Sequence, residues 1–390
     1  MKATERRGVL LGVALSLWWL SACGGPDVGV TDEEILIGTW APMTGPSAAL
    51  SAFPRGMDAY FQHVNAQGGI HGRTVRLIIK DDGYDPSRTP EVVRQLVEEE
   101  EVFAICGGIG TANSLAVKDY LANRFVPWVN PGSGSRVFTV PTQGTIFSTF
   151  PSYVTEGRIL ARHALDELGA EKVGLFYQDD SFGHEGQEGV TLGLGDVRRG
   201  LEVAVPYSLN DEDLSTHAQQ FKDAEVDAVI FWSTPPKAAA LISEFAKLEY
   251  QPKLLASQVL SDPVMFELVG EAWEGAVVAT GVPDPHSNEP AAVRAREIMS
   301  RYAPDVPYGA YTLMGMSWAE VLAEGIRQAG PELTRVRLIY TLENFQSSAD
   351  NFLGRAIRFS AESHHGFNAV RLMRAEGGKY VYITDWIGES

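Results

Sequence analysis

From Ile35 onward the chain alternates short β-rich runs with helical stretches, and this rhythm limits the fold more than any other feature. β-Rich runs stand at 35–40 (ILIGTW), 75–80 (VRLIIK), 102–107 (VFAICG) and 126–130 (VPWVN). Helical stretches at 55–66, 90–100 and 114–124 lie between them. The first sets Met57, Tyr60, Phe61 and Val64 at the spacing of an amphipathic helix. Such strand–helix repetition builds a parallel sheet with helices on both faces. The rhythm restarts with a helix at 155–169 and a strand at 172–178. Strands follow at 201–208, 226–232, 253–257 and 275–281, with helices at 216–224 and 236–249. Two successive series of similar size predict two α/β lobes rather than one barrel. Beyond Gly281 come helices at 291–303, 308–330 and 332–345, then strand-like runs at 368–376 and 380–386. In the long helix Leu313, Trp318, Val321, Leu322 and Ile326 share one face and read as core.

The first residues concern destination. Lys2, Arg6 and Arg7 precede an apolar stretch at 8–20. That stretch is shorter than the ~20 residues a bilayer-spanning helix needs, so 1–22 reads as a signal peptide. Leu20-Ser21-Ala22-Cys23 places small residues before a cysteine, resembling the bacterial lipobox. Cys23 is therefore the expected lipidation site, 23–33 a tether, and the lipid the chain's only membrane contact. Without the three bases and Glu5, 29 Lys and Arg stand against 49 Asp and Glu, a net charge of −20. Such a surface repels nucleic acid and anionic headgroups, which excludes both as partners. Cys106 has no cysteine left to pair with, so stability rests on core burial.

The chemistry concentrates in loops after the first strands. GGIGTANS (107–114) lacks the lysine of a Walker loop, and Asn113 stands where a dinucleotide fingerprint needs its third glycine. APMTGPSAAL (41–50) and NPGSGSR (130–136) are similarly rich in small and hydroxyl residues. In an open α/β sheet these loops face a crevice beyond the carboxyl ends of the strands. Small residues there let backbone N–H groups and helix N-termini meet an anion, and Thr111, Ser114, Ser133 and Ser135 add hydroxyl donors. The expected ligand head is a carboxylate.

Enzyme readings fare poorly. GHEGQEG (183–189) carries His184, Glu185 and Glu188, but its fifth position is not histidine and glycines interrupt the helix a zinc site needs. Neither Ser133 nor Ser135 has the flanking glycines of a nucleophile elbow. His364-His365 read as surface residues in a polar turn, and Cys106 as a buried inert thiol. No catalytic residue, metal or cofactor is expected.

With these residues in view, the chain resembles the type I extracytoplasmic solute-binding proteins of ABC transporters, in the leucine/isoleucine/valine-binding branch. The motifs are IGTWAPMTGPSAA (37–49), NAQGGIHGRTVRLIIKDDGYDP (65–86) and VPWVNPGSGS (126–135), followed by the blocks at 151–186 and 308–326. The resemblance runs from about Ile35 to Trp386. It implies two Rossmann-like lobes with parallel-sheet cores, joined by three crossovers near Pro151, Gly281 and Gly354, and a cleft that closes on a ligand. The implied N-terminal lobe is 34–150 plus 282–355, and the C-terminal lobe 151–281 plus 356–390. Also implied are an extracytoplasmic location, monomeric state and delivery of the solute to permease subunits of an ABC importer; a ligand sensor for a signalling receptor is the alternative.

The resemblance also implies the site residues. In the first lobe Thr111 and the loop Gly132, Ser133 and Gly134 match the positions that hold a ligand carboxylate. In the second lobe Phe182 matches the aromatic before glycine that covers the ligand, with Trp232 and Thr234 expected nearby. Gln258 matches the position where amino-acid binders place an acid against the ligand ammonium; it is neutral here, and Asp179, Asp180 or Asp262 are the nearby substitutes. Leu50 and Phe53 make the cleft apolar. A desolvated ammonium without a counter-charge costs several kcal/mol, so an apolar or aromatic monocarboxylate is favoured over a free branched-chain amino acid.

Overall fold

The structure, a computed structural model, describes residues 27–195 and 199–389. The expected signal peptide and Cys23 lie outside the described residues. Burial explains the first strand, β1 (Glu34–Ala41), where Ile35, Ile37, Trp40 and Ala41 are all enclosed. It pairs in parallel with β2 (Thr74–Asp81) on one side and β3 (Ala104–Cys106) on the other. β4 (Trp128–Val129) and β5 (Ile146–Phe147) complete a parallel sheet of order β2-β1-β3-β4-β5. Parallel neighbours cannot be joined by a tight hairpin. The first three connections accordingly run through α1 (Ala52–Ala66), α2 (Thr89–Glu98) and α3 (Thr111–Asn123).

β3 and β4 are shorter than the apolar runs that contain them. Gly107 N–H still reaches Val129 O at 3.0 Å, and Asn130 N–H reaches Phe147 O at 2.7 Å. Both residues have positive φ, 76° and 55°, which turns the chain out of the sheet at the edge where the cleft lies.

The second series gives α4 (Tyr153–Asp166), β6 (Val173–Gln178), α5 (Ser181–Gly195), β7 (Val203–Tyr207) and α6 (Ser215–Asp223). It continues with β8 (Ala228–Trp232), α7 (Pro235–Lys247), β9 (Lys253–Ala256), α8 (Val264–Val269) and β10 (Val277–Thr280). Its strands lie parallel in the order β7-β6-β8-β9-β10. The chain then supplies α9 (Pro290–Tyr302), α10 (Ala310–Ala329) and α11 (Arg335–Leu342), with α10 packed along α1. A short ribbon of β11 (Gln346–Ser347) and β12 (Ile357–Arg358) follows. Finally β13 (Asn368–Glu376) returns antiparallel beside β10, paired with both β14 (Lys379–Tyr382) and β15 (Ile387–Glu389). Two mixed α/β lobes with parallel-sheet cores result, as the sequence predicts.

Two expectations need correction. His364 is not a surface residue: it is 1% exposed, stacked on Phe147 at 3.9 Å, with Nδ1 2.7 Å from Gln143 O. The segment carrying it bridges back to Ser148, which buries it. The second is α5, a regular helix where the glycines suggest an interruption. Gly183, Gly186, Gly189 and Gly193 are all buried. A Cβ on Gly189 would stand 2.7 Å from Val154 O, and one on Gly193 2.8 Å from Arg158 O, both in α4. Gly157 of α4 answers, since its Cβ would lie 2.8 Å from Val190 N. Each helical glycine costs ~1 kcal/mol relative to alanine, and contact between the two helix backbones offsets that cost.

Gly186 provides the check, because a Cβ there would stand 2.2 Å from the Trp232 ring. Gly186→Ala is expected to lower stability by about 1–3 kcal/mol through overpacking. Gly195→Ala, with nothing within 4 Å of its Cβ, is expected to leave stability unchanged or raise it slightly. Urea denaturation of both variants measures the difference.

Candidate ligand-binding site

Parallel register brings the loops after β1, β3 and β4 to one edge of the first sheet. Gly107, Gly108 and Gly110 all have positive φ, at 76°, 91° and 103°. Gly108 also has no room for a side chain, since a Cβ would stand 2.4 Å from the Trp40 ring. This tight path delivers Thr111 as the first residue of α3. The N–H groups of that first turn have no carbonyl one turn back within the helix, and they carry the positive end of its dipole.

The Thr111 and Ser133 hydroxyls meet at 2.8 Å, joining the loop after β3 to the loop after β4. A bridge between Ile109 and Gly132 stitches the same loops. Not every amide expected to face a ligand does so. Gly132 N–H bonds Gly108 O at 2.9 Å, and Ser133 N–H bonds Pro131 O at 2.7 Å. The donors left at this edge are one hydroxyl proton of the Thr111–Ser133 pair, the Gly134 N–H and the first turn of α3.

A cavity of about 30 Å³ lies against Thr111 and Gly132, between the lobes. Leu50, Phe53, Thr111, Gly132 and Phe182 line it, together with Tyr84, Phe150, Tyr153, Val259 and Trp318. One water occupies ~10–15 Å³ by such a measure, so this chamber holds a water or two but no solute. Its walls are stacked rings: Phe53 lies between Tyr311 and Trp318, with centroids 4.7 and 5.1 Å away. No charged side chain lines it.

A second, wider chamber of about 510 Å³ opens on the far side of Tyr84, which lines both. Thr234 is found there, beside Gln178, Asp179, Asp180, Tyr207 and Lys237. Trp232 lines neither chamber; it is fully buried under α5, edge-on to Tyr153. Gln258 also lines neither. Its N–H and side-chain amide donate to the two oxygens of Glu156, at 2.5 and 2.9 Å. Glu156 is fully buried, and burial pushes its pKa up to about 7.

The nearby acids have their own partners. Asp180 accepts from Phe182 N–H at 2.9 Å and Gln178 Nε2 at 2.7 Å, Asp179 faces His184, and Asp262 accepts from Tyr311 N–H at 3.1 Å. Asp262 thus caps α10 across the cleft, and desolvation raises its pKa. The Tyr311 hydroxyl donates to Val259 O at 2.5 Å over the same gap. On another side Arg136 bonds Glu185 and Glu188 of α5, at 3.2 and 2.7 Å. The pattern at 183–189 is therefore an ion-pair contact between lobes. Among the described residues no group of three or more His, Cys, Asp or Glu is placed to hold a metal.

Sequence reasoning missed Tyr84, Phe150, Tyr153 and Trp318. Trp318 was legible as an apolar position on α10, but a core stripe and a cavity wall look alike in one dimension. Tyr84 lies inside KDDGYDP, and no local pattern marks it as the partition between chambers.

Comparison with known proteins agrees with this architecture. A model of the periplasmic binding protein family matches residues 34–379. A protein of Brucella abortus named Leu/Ile/Val-binding protein homolog 2 is 23% identical over 304 residues, covering 77% of this chain and 80% of that protein. Among solved structures, a fatty acid ABC transporter substrate-binding protein from Thermomonospora curvata superposes with a TM-score of 0.85 at 22% identity, covering 94% of this chain and 95% of that one. A branched-chain amino acid ABC transporter protein from Thermus thermophilus with bound valine gives 0.83 at 19% identity, with 93% and 98% covered. At these identities the structures show the fold alone.

Glu156 yields a pH test. Its folded-state pKa, about 7, lies above its ordinary value of 4.5. Between these values the folded protein keeps a proton that the unfolded chain has lost, so stability falls as pH rises through that window. Glu156→Gln removes the effect and keeps two hydrogen bonds if the Gln258 amide turns over. Relative to the parent, the variant is expected to gain about 3 kcal/mol between pH 4.5 and pH 8. Denaturant titrations at both pH values read the gain. Glu320, also raised to about 7, is present in both proteins and cancels.

Proposed function

Because this chain belongs to the periplasmic binding protein family, we propose that it captures a small carboxylate-bearing solute by closure of two lobes and delivers it to the permease of an ABC importer. The family consists of extracytoplasmic solute-binding proteins, and among the described residues no helix is long and apolar enough to cross a membrane. The observation that carries the proposal is the chamber between the lobes, where Thr111, bonded to Ser133 behind it, and the start of α3 meet rings of Phe53, Phe182 and Trp318. Donors at one end and apolar walls elsewhere suit an anionic head on an apolar body.

The names of the relatives fit this class, since branched-chain amino acids and fatty acids both join a carboxylate to an apolar chain. We place an apolar or aromatic monocarboxylate first, because Gln258 is neutral and the chamber has no acid to meet an ammonium. Gly134 completes the head-group site, and Leu50 and Phe53 the apolar wall. Thr234 belongs to the outer chamber, while Trp232 and Gln258 support the site from behind.

We assign 34–150 plus 282–355 to one lobe and 151–281 plus 356–390 to the other, with hinges near Pro151, Gly281 and Gly354. The mature protein is a monomer held to the membrane by a lipid on Cys23, after removal of residues 1–22. A ligand that touches both lobes favours the closed form by its difference in affinity between the two states.

Calorimetric titration of a soluble chain beginning at Gly24 tests the reading. A monocarboxylate is expected to bind, and Thr111→Val to weaken it by about 1–3 kcal/mol, because a carboxylate oxygen loses its donor. A loss below a few tenths of a kcal/mol places Thr111 outside the site. Failure of amino acids, apolar acids and aromatic acids alike to bind overturns the ligand class.

A further inference from the structure

Granted the carboxylate-binding function proposed for the cleft, on which this inference rests, the side chain of Tyr153 stands where the ligand head group would stand. Tyr153 opens α4, in the lobe opposite Thr111, and is 2% exposed. Its N–H donates to Gly134 O at 3.0 Å. Its ring lies against Gly134, where a Cβ would stand 2.8 Å from Cδ1 and 2.9 Å from Cε1. Phe150, Phe182 and Trp232 hold the ring edge-on, with centroids 5.9, 5.2 and 5.6 Å away.

This packing points the phenol oxygen toward the Gly134 N–H and the Thr111 and Ser133 hydroxyls. Those are the donors left over once the remaining amides of the loop are paired internally. Burial raises the Tyr153 pKa, so the group is a neutral phenol at every physiological pH. A neutral oxygen thus sits beside the Gly134 N–H and the one hydroxyl proton that the Thr111–Ser133 bond leaves over. The chamber beside it, about 30 Å³, is below ligand size with this side chain in place.

We propose that Tyr153 is an internal competitor of the ligand: its hydroxyl fills the nest of Thr111, Ser133 and Gly134 in the ligand-free closed form, and a solute head enters as the phenol leaves. The exchange sets affinity. A carboxylate forms charge-assisted bonds roughly twice as strong as those of a neutral oxygen, so it displaces the phenol. An amide or alcohol head offers the nest no more than the phenol already does. Displacing the phenol costs every head group the same, so Tyr153 lowers all affinities by one factor and the preference for anions stays with the donors.

Tyr153→Phe keeps the ring and removes the competitor. Two measurements on the chain beginning at Gly24 test the idea. The first is calorimetry with 4-methylpentanoate and 3-phenylpropanoate and with their primary amides. The second is small-angle X-ray scattering of the ligand-free proteins. The variant is expected to bind the acids about three- to tenfold tighter, the worth of a hydrogen bond to a neutral partner. It should bind the amides tighter by the same factor, and its ligand-free radius of gyration should exceed the parent's. Acid affinity that is unchanged or weaker, with no expansion, overturns the inference while parental binding of acids upholds the carboxylate reading. If neither protein binds any acid but the ligand-free variant expands, the carboxylate reading falls and the phenol stands as a latch between lobes.

Discussion

Parallel register decides where everything functional in this protein goes. When β1, β3 and β4 run in one direction, their carboxyl ends lie side by side, and the loops after them must share one edge of the sheet. The second sheet repeats the rule, with β6, β8 and β9 ending in the segments that carry Phe182, Thr234 and Val259. Turned toward each other, the two edges enclose a chamber without any residue being placed there individually. Glycine at 107, 108 and 110 tightens the geometry, because the chain has to pass the Trp40 ring before α3 begins. The site is a consequence of the fold.

Closure then becomes a balance of contacts rather than a property of the ligand alone. Arg136 with Glu185 and Glu188, Asp262 on the start of α10, and Tyr311 on Val259 all span the gap. The ion pairs of Arg136 are partly exposed and contribute little, on the order of a fraction of a kcal/mol. Asp262 is half-buried, so its bonds to the α10 amides are screened somewhat less. The apolar rings between the lobes add burial that needs no partner. Together these contacts join the lobes around the chamber, with Tyr153 in its wall.

Much of this was legible in one dimension. Short apolar runs and period-3.6 patterns found most strands and helices of both lobes, though not β5, β15 or α8, because parallel strands buried on both faces read as continuous apolar runs. Loops rich in small and hydroxyl residues located Thr111, Ser133 and the cavity edge. Two kinds of information were absent. α5 looked broken because helix propensity penalises glycine, and only the facing glycine and backbone of α4 show why bare positions fit there. Glu156, Tyr84 and Tyr153 looked ordinary because their importance lies in partners from distant parts of the chain. A buried carboxyl group whose partner is the neutral Gln258, and a tyrosine packed on Gly134 in the cavity wall, exist only in three dimensions.

Lobe closure on a solute is the central claim, and electron–electron distance measurement tests it most directly. Spin labels on Ser87→Cys and Glu212→Cys stand on exposed segments near the outer chamber of opposite lobes, and buried Cys106 is shielded from the label. With a bound monocarboxylate, the distance distribution is expected to collapse to one short, narrow peak, from a ligand-free distribution that includes longer distances. Identical distributions with and without a solute shown to bind would contradict the account.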